Sequence, residues 1–330
     1  MKLTFDQLAA ITRGADHTLV QDDRFVMRRC TDAQTAVYAR TKSDWKCRSS
    51  VGIRFDFVTD SQTICFDYTV RGIFSVGWVS IELYADGVMV DVDYHETYVS
   101  FNDYSFSYRF ADRATRRITI YLPYMVDVQL HGFTLDDGAS LEPYTAYAGK
   151  MLCFGDSITH GYHARYSSCT YPAIVARYFN FDFNNQGNAG YIFDAATIDP
   201  ELNFSPDLIT VAFGTNDWGR ARSREQFISW AETYFDRLHE AYPNIPVVAV
   251  LPSWRVDSWR GRPAGTFEEA RALLADIIRE HGCQIADGGA AVPHLPEFFG
   301  DLRLHPNDMG FAFYAQEVIR AISALRDQKR

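Results

Sequence analysis

Three turns and one histidine carry the residue types that covalent chemistry needs in this chain. Met151-Leu-Cys-Phe154 is an apolar run of strand type, and Gly155-Asp156 break it, leaving the hydroxyl of Ser157 at the tip of a turn. Asn185-Gln-Gly-Asn-Ala-Gly190 forms a second turn, Gly214-Thr-Asn-Asp217 a third directly after another apolar run, and Leu304-His-Pro-Asn307 brings His305. An alcohol that attacks an ester needs a base to take its proton and donors to hold the oxyanion that develops. Ser157 offers the alcohol and His305 the base. Each turn alone is ordinary backbone chemistry; the weight lies in finding all of them together.

In order and separation the four blocks resemble those of the SGNH (GDSL-type) hydrolases, serine esterases and acylhydrolases named after their Ser, Gly, Asn and His, over residues 150–330. The resemblance implies Ser157 as nucleophile and His305 as base. It implies an oxyanion hole built from the backbone N–H of Ser157, the backbone N–H of Gly190 and the side-chain amide of Asn216. Gly190 is chosen over Gly187 because the final glycine of this block donates in that family; Gly187 then serves the turn. One position departs from the family pattern, which places Asp three residues before the His. Leu302 stands there, and Asp301 is four before. Asp301 is expected to orient His305 if the loop bulges, with Gly300 supplying the flexibility; otherwise a backbone carbonyl does so in a Ser-His dyad.

Other polar residues near these blocks receive plainer readings. Asp156 and Asp217 are expected to hold their loops by hydrogen bonds. His160 and His163 have H-x-x-H spacing but no third ligand evident in the sequence, so neither a metal nor a cofactor is expected. Trp218 and Trp254, with Trp259, follow strands and are expected to stack on substrate.

These residues require elements that bring them to one edge. From about residue 150 onward the sequence alternates strands, suggested at 150–154, 181–185, 207–213, 246–251 and 283–286, with helices. Ser223-Arg-Glu-Gln226 and Thr266-Phe-Glu-Glu269 are capping boxes ahead of amphipathic runs, and a last helix is expected from Asn307. Strict alternation implies a parallel sheet covered on both faces, with the site beyond the carboxyl ends of its strands. The expected fold is therefore a three-layer α/β hydrolase domain of flavodoxin-like type, residues 141–330.

Before it the period is two. Ile53, Phe55 and Phe57, then Ile64, Phe66, Tyr68 and Val70, then Ile118, Ile120 and Leu122 alternate with other residues, and Ala85-Asp-Gly87 reads as a hairpin turn. Residues 1–140 are expected to form an all-β, jelly-roll-like sandwich, with the break at Asp136-Asp-Gly-Ala-Ser-Leu-Glu-Pro143. Phe5, Leu8 and Ile11 fall at helical spacing. A sandwich ahead of an SGNH domain resembles the layout of carbohydrate esterase family two and related bacterial deacetylases.

Composition narrows the partners. With 32 Lys and Arg against 42 Asp and Glu the net charge is −10, which opposes binding to nucleic acid, and the densest basic cluster, Arg113-Ala-Thr-Arg116-Arg117, reads as a solvated loop. No apolar run has signal-peptide or membrane-span length, and six scattered cysteines show no C-x-x-C pair, which together point to a cytoplasmic protein with no membrane partner. An oligomer stays open. The expected activity is hydrolysis of a small acyl ester, acetyl first, on a carbohydrate or similar polar alcohol. The alternatives are a lipase or thioesterase for longer chains and an inactive carbohydrate-binding protein on the same fold.

Overall fold

The computed structural model describes residues 1–73, 78–96 and 102–327. Its amino-terminal part is antiparallel. One sheet holds β2 (His17–Gln21), β3 (Arg24–Arg28), β5 (Thr63–Ile73), β8 (Asn102–Arg109) and β10 (Val126–Leu135) in the order β2-β3-β10-β5-β8. The second holds β1 (Thr12–Arg13), β4 (Arg54–Thr59), β6 (Trp78–Ala85), β7 (Val88–Glu96) and β9 (Arg116–Tyr121) in the order β1-β4-β9-β6-β7, with β11 (Glu142–Pro143) against β4. The period-two apolar residues meet between the sheets, where Phe66 stacks on Phe133 at 5.3 Å and Phe55 meets Phe133 edge-on at 5.6 Å. The hairpin turn has Asp86 at φ 50° and Gly87 at φ 83°, the left-handed pair that a tight two-residue turn requires. The helical spacing near the amino terminus becomes α1 (Phe5–Ile11), capped by Thr4 and burying Leu8 and Ile11.

The outer face of β4 is buried, unlike that of a sandwich standing in water. Arg54 donates to Asp182 at 2.5 Å and lies over the Phe183 ring at 4.4 Å. Arg117 pairs with the buried Asp56 at 2.7 Å and stacks on Tyr144, so this end of the basic cluster lies on β9 and is half-buried, not a solvated loop. The buried charges are tolerated because each has a partner.

Residues 30–47 pack against the parallel-sheet part, and the chain returns to the sandwich at Ser50, whose N–H donates to Val126 O at 2.7 Å. Within that stretch α2 (Asp32–Ala39), capped by Thr31, puts Tyr38 into one core with Cys30, Cys47, Leu152, Phe213 and Trp218.

The parallel sheet contains β12 (Gly149–Gly155), β13 (Phe181–Gly187), β14 (Leu208–Ala212), β15 (Val247–Leu251) and β16 (Gln284–Asp287) in the order β13-β12-β14-β15-β16. Between the strands run α3 (Ser157–His160), α4 (Tyr171–Phe179), α5 (Thr215–Arg220), α6 (Arg224–Ala241) and α7 (Phe267–Glu280), then α8 (Gly288–Ala291) and α9 (Asp308–Asp327) after the last strand. The cores on the two faces are distinct: α6 and α7 cover one, α4 and α9 the other. Thr266 makes both bonds of its capping box, whereas the Gln226 side chain opposite Ser223 turns to the Arg222 N–H. Gly155, Gly187 and Ala212 lie level at the carboxyl edge, where the expected site residues follow. Among the described residues no helix is long and apolar enough to cross a membrane.

Candidate active site

Gly155 admits no side chain: a Cβ there would lie 2.0 Å from Thr159 Oγ1 and 2.7 Å from Ala212 O. The chain can therefore pass from β12 into α3 within one residue. The Asp156 carboxylate caps α3 by accepting from the Ile158 N–H at 2.9 Å. Ser157 is the first residue of that helix, so its own N–H has no acceptor within the helix. Its Oγ lies 2.8 Å from His305 Nε2.

The other ring nitrogen of His305 is 2.7 Å from Asp301 Oδ2, so the odd spacing still yields a Ser157-His305-Asp301 chain of hydrogen bonds. Asp301 Oδ1 accepts from the N–H groups of Arg303 at 2.9 Å, Leu304 at 2.9 Å and His305 at 3.1 Å. The extra residue is absorbed at Leu302, which sits at φ 58° in the left-handed region. Gly300, expected to supply the flexibility, is needed for space instead: a Cβ there would meet His163 Cβ at 2.6 Å. Burial would raise the Asp301 carboxyl, but the His305 bond, the Leu304 N–H and the His305 charge together hold it far below the usual carboxylate range.

The two histidines of the H-x-x-H pair part company. His160 is fully buried; its Nδ1 accepts from the Ala189 N–H at 3.3 Å and its Nε2 lies 3.0 Å from Ser49 Oγ. Burial, then Arg29 and Lys46, push its pKa well down, so it is a neutral strut. His163 stacks on His305 with ring centres 5.6 Å apart, beside Tyr162 at 4.6 Å from the same ring. Among the described residues, His163, Asp301 and His305 are a group whose ligand atoms lie within 4.8 Å of one another and could hold a metal ion. The spacing of His160 and His163 gave no hint of this partnership, which tertiary contact creates.

The Gly190 turn is wedged from both sides. Asn185 donates to Thr159 O at 2.7 Å and accepts from the Gly187 N–H at 2.8 Å, and a Cβ on Gly187 would lie 2.4 Å from the His160 nitrogen. Gly187 thus permits close backbone approach and not an unusual dihedral. Gly190 itself has φ 76°, and its N–H has no partner among the described residues. The Asn216 amide donates to Tyr191 O at 2.9 Å and more weakly to Asp156 Oδ2 at 3.3 Å. Asp217 accepts from the N–H groups of Phe193 at 2.7 Å and Gly214 at 2.9 Å, tying this turn to the previous one. Burial pushes Asp156 up to about 7 and Asp217 up to about 6.

The amino-terminal segment reaches the same turn. Arg29, buried completely, donates to Asn185 O at 3.0 Å and Lys46 O at 2.8 Å, Gln186 donates back to Arg29 O, and Lys46 donates to Ala189 O. No motif marks these residues in the sequence.

Trp218 is a correction. It is 0% exposed, its indole N–H donates to Gly265 O at 3.0 Å, and Phe267 meets its ring edge-on, so no face is left for substrate. Trp254 is half-buried, with His294 parallel to its ring at 5.7 Å and Phe299 at 5.1 Å. Trp259 is the exposed one, at 76%.

Residues 153–313 match the GDSL-like Lipase/Acylhydrolase family. No curated protein matches the chain in sequence. Among solved structures, a salicylyl-acyltransferase from a tetracycline biosynthetic pathway superposes with TM-score 0.78 at 20% identity, over 95% of this chain and 94% of that one. A Bacteroides ovatus protein described as a GDSL-like lipase gives 0.77 at 16% identity, over 99% and 98%. A family two carbohydrate esterase from Cellvibrio japonicus gives 0.67 at 14% identity, over 98% of both chains. At such identities the likeness is one of fold.

Proposed function

We propose, since residues 153–313 are a GDSL-like lipase/acylhydrolase domain and the chain is a carboxylic ester hydrolase, that it removes a small acyl group, acetyl first, from a carbohydrate or similar polar alcohol. The observation that carries this reading is the hydrogen-bonded run from Ser157 Oγ through His305 to Asp301, at 2.8 and 2.7 Å. His305 Nε2 takes the Oγ proton as Oγ bonds to the ester carbonyl carbon, and the resulting oxyanion is held by the N–H groups of Ser157 and Gly190 and the Asn216 amide. The weak Asn216 bond to Asp156 is the one an oxyanion would replace. The alkoxide leaves with the proton from His305, and the acyl group stays on Ser157. Water then attacks, gives its proton to His305, and the carboxylic acid departs as Oγ is reprotonated.

A polar acceptor is supported by the polar groups at the site, namely His163 against His305, Arg220 and Lys46 beside Gly190, and Asn216 against Asp156. The likeness in fold to a family two carbohydrate esterase, over 98% of both chains, supports the same choice. A panel of 4-nitrophenyl esters from acetate to octanoate, run beside acetylated sugars with acetate release as readout, tests it. Highest kcat/KM on acetate and release from the sugars are expected; rates that climb with chain length would make the protein a lipase.

A further inference from the structure

The space above Gly190 is bounded in an unusual way. A carbon placed where its side chain would begin lies 3.8 Å from Arg220 Nη2 and 3.8 Å from Lys46 Nζ, and apart from chain neighbours no other atom of the described residues comes within 4 Å. Two cations from distant parts of the chain, one in the amino-terminal segment and one at the end of α5, therefore converge on the turn that would hold the oxyanion. Neither forms an ion pair among the described residues, although the protein as a whole carries a net charge of −10. Lys46 is anchored by its bond to Ala189 O, and Arg220 is exposed. Two like charges brought together are costly, and burial and then Arg220 both lower the Lys46 ammonium; the buried Asp156 and Asp217 feel the Arg220 charge, but neither pairs with it directly. An anion between them would remove that cost.

We infer that Lys46 and Arg220 form an anion-binding subsite beside the reaction centre, and that the ester hydrolysed carries a carboxylate close to its acyl group, as in an O-acetylated uronic acid. This rests on the esterase reading above and adds to it the charge of the alcohol. A guanidinium and an ammonium offer charge-assisted donors to a carboxylate, and a site open to solvent makes the attraction sensitive to salt. The acyl group itself need bear no charge.

The test compares an O-acetylated methyl glucuronoside with the matching O-acetylated methyl glucoside. Wild type should favour the uronate in kcat/KM by roughly tenfold, the preference should shrink in about 0.5 M NaCl, and Arg220→Gln should lower it several-fold while Arg220→Glu reverses it. Equal losses on both substrates would assign the cations to the oxyanion and overturn the inference, as would a wild-type ratio near one. Calorimetry on Ser157→Ala separates this from the esterase reading, because it needs no turnover: the uronate should bind more tightly than the glucoside, and that difference should vanish in Ser157→Ala/Arg220→Gln. Equal dissociation constants would refute the subsite even if hydrolysis is seen; hydrolysis of neither sugar nor 4-nitrophenyl acetate would refute the esterase reading whatever the binding shows.

Discussion

Replacing Asp301 by Asn should cost ~10³- to 10⁴-fold in kcat, about 4 to 5.5 kcal/mol of transition-state stabilisation. The structure shows how. Oδ1 accepts three backbone N–H groups, and Oδ2 alone faces His305 Nδ1. An Asn side chain keeps its one oxygen where three donors converge, which leaves its NH₂ against Nδ1. That nitrogen must then accept, the proton moves to Nε2, and the imidazole can no longer take the proton of Ser157 Oγ. The charge that would stabilise the imidazolium is lost as well. Because the three backbone bonds survive, the melting temperature should move by only a few degrees, and single-turnover kinetics on 4-nitrophenyl acetate should show the loss in the acylation step. A drop under about tenfold in a folded variant would refute the reasoning and leave a Ser157-His305 dyad.

Other outcomes follow from the same geometry. Asn216→Ala should lower kcat by ~10²- to 10³-fold with little change in KM if, as proposed, its amide acts on the oxyanion; steady-state kinetics showing a pure KM effect would contradict this. Gly187→Ala should destabilise the protein by about 1–3 kcal/mol or more, as a Cβ 2.4 Å from the His160 nitrogen meets backbone; chemical denaturation at wild-type midpoint would contradict it. Glu82, buried and held by Ser80, Ser167 and Ser168, is pushed by burial up to about 7. Its folded pKa lies above the unfolded value of about 4.3, so the folded state binds the extra proton and this contribution to stability is lost as pH rises from about 4 to about 7. The melting temperature of wild type relative to Glu82→Gln should fall across that window and level off above it; a flat difference would contradict the assignment.

The turn that carries Ser157 was legible in the sequence because its causes are local: a strand of apolar residues, a glycine with no room for Cβ, and an aspartate one residue before the serine. The edge where Ser157, Gly190, Asn216 and His305 meet followed from alternating strands and helices. Asp301 was legible as the partner of His305, but not the position of the bulge, since the crowding that demands glycine at 300 comes from His163 far away in the chain. Trp218 misled because a position after a strand does not say which way a short helix turns its side chain, and α5 turns this one inward. The buried outer face of β4, the grip of Arg29 and Lys46 on the Gly190 turn and the contact of Ser49 with His160 had no signature at all. Such contacts join residues more than a hundred positions apart, and an arginine that will be buried looks in sequence like any exposed one.

The central claim is that Ser157 is a nucleophile made reactive by His305. A phosphate triester such as diethyl 4-nitrophenyl phosphate reports this directly, because attack releases 4-nitrophenolate and leaves a stable diethylphosphoryl serine. Intact-mass and peptide mass spectrometry should find one such group per chain, on the peptide holding Ser157. It should be absent in Ser157→Ala and should form at least ~10²-fold more slowly in His305→Ala. Labelling elsewhere in the chain, or no labelling of a folded wild-type protein, would contradict the account.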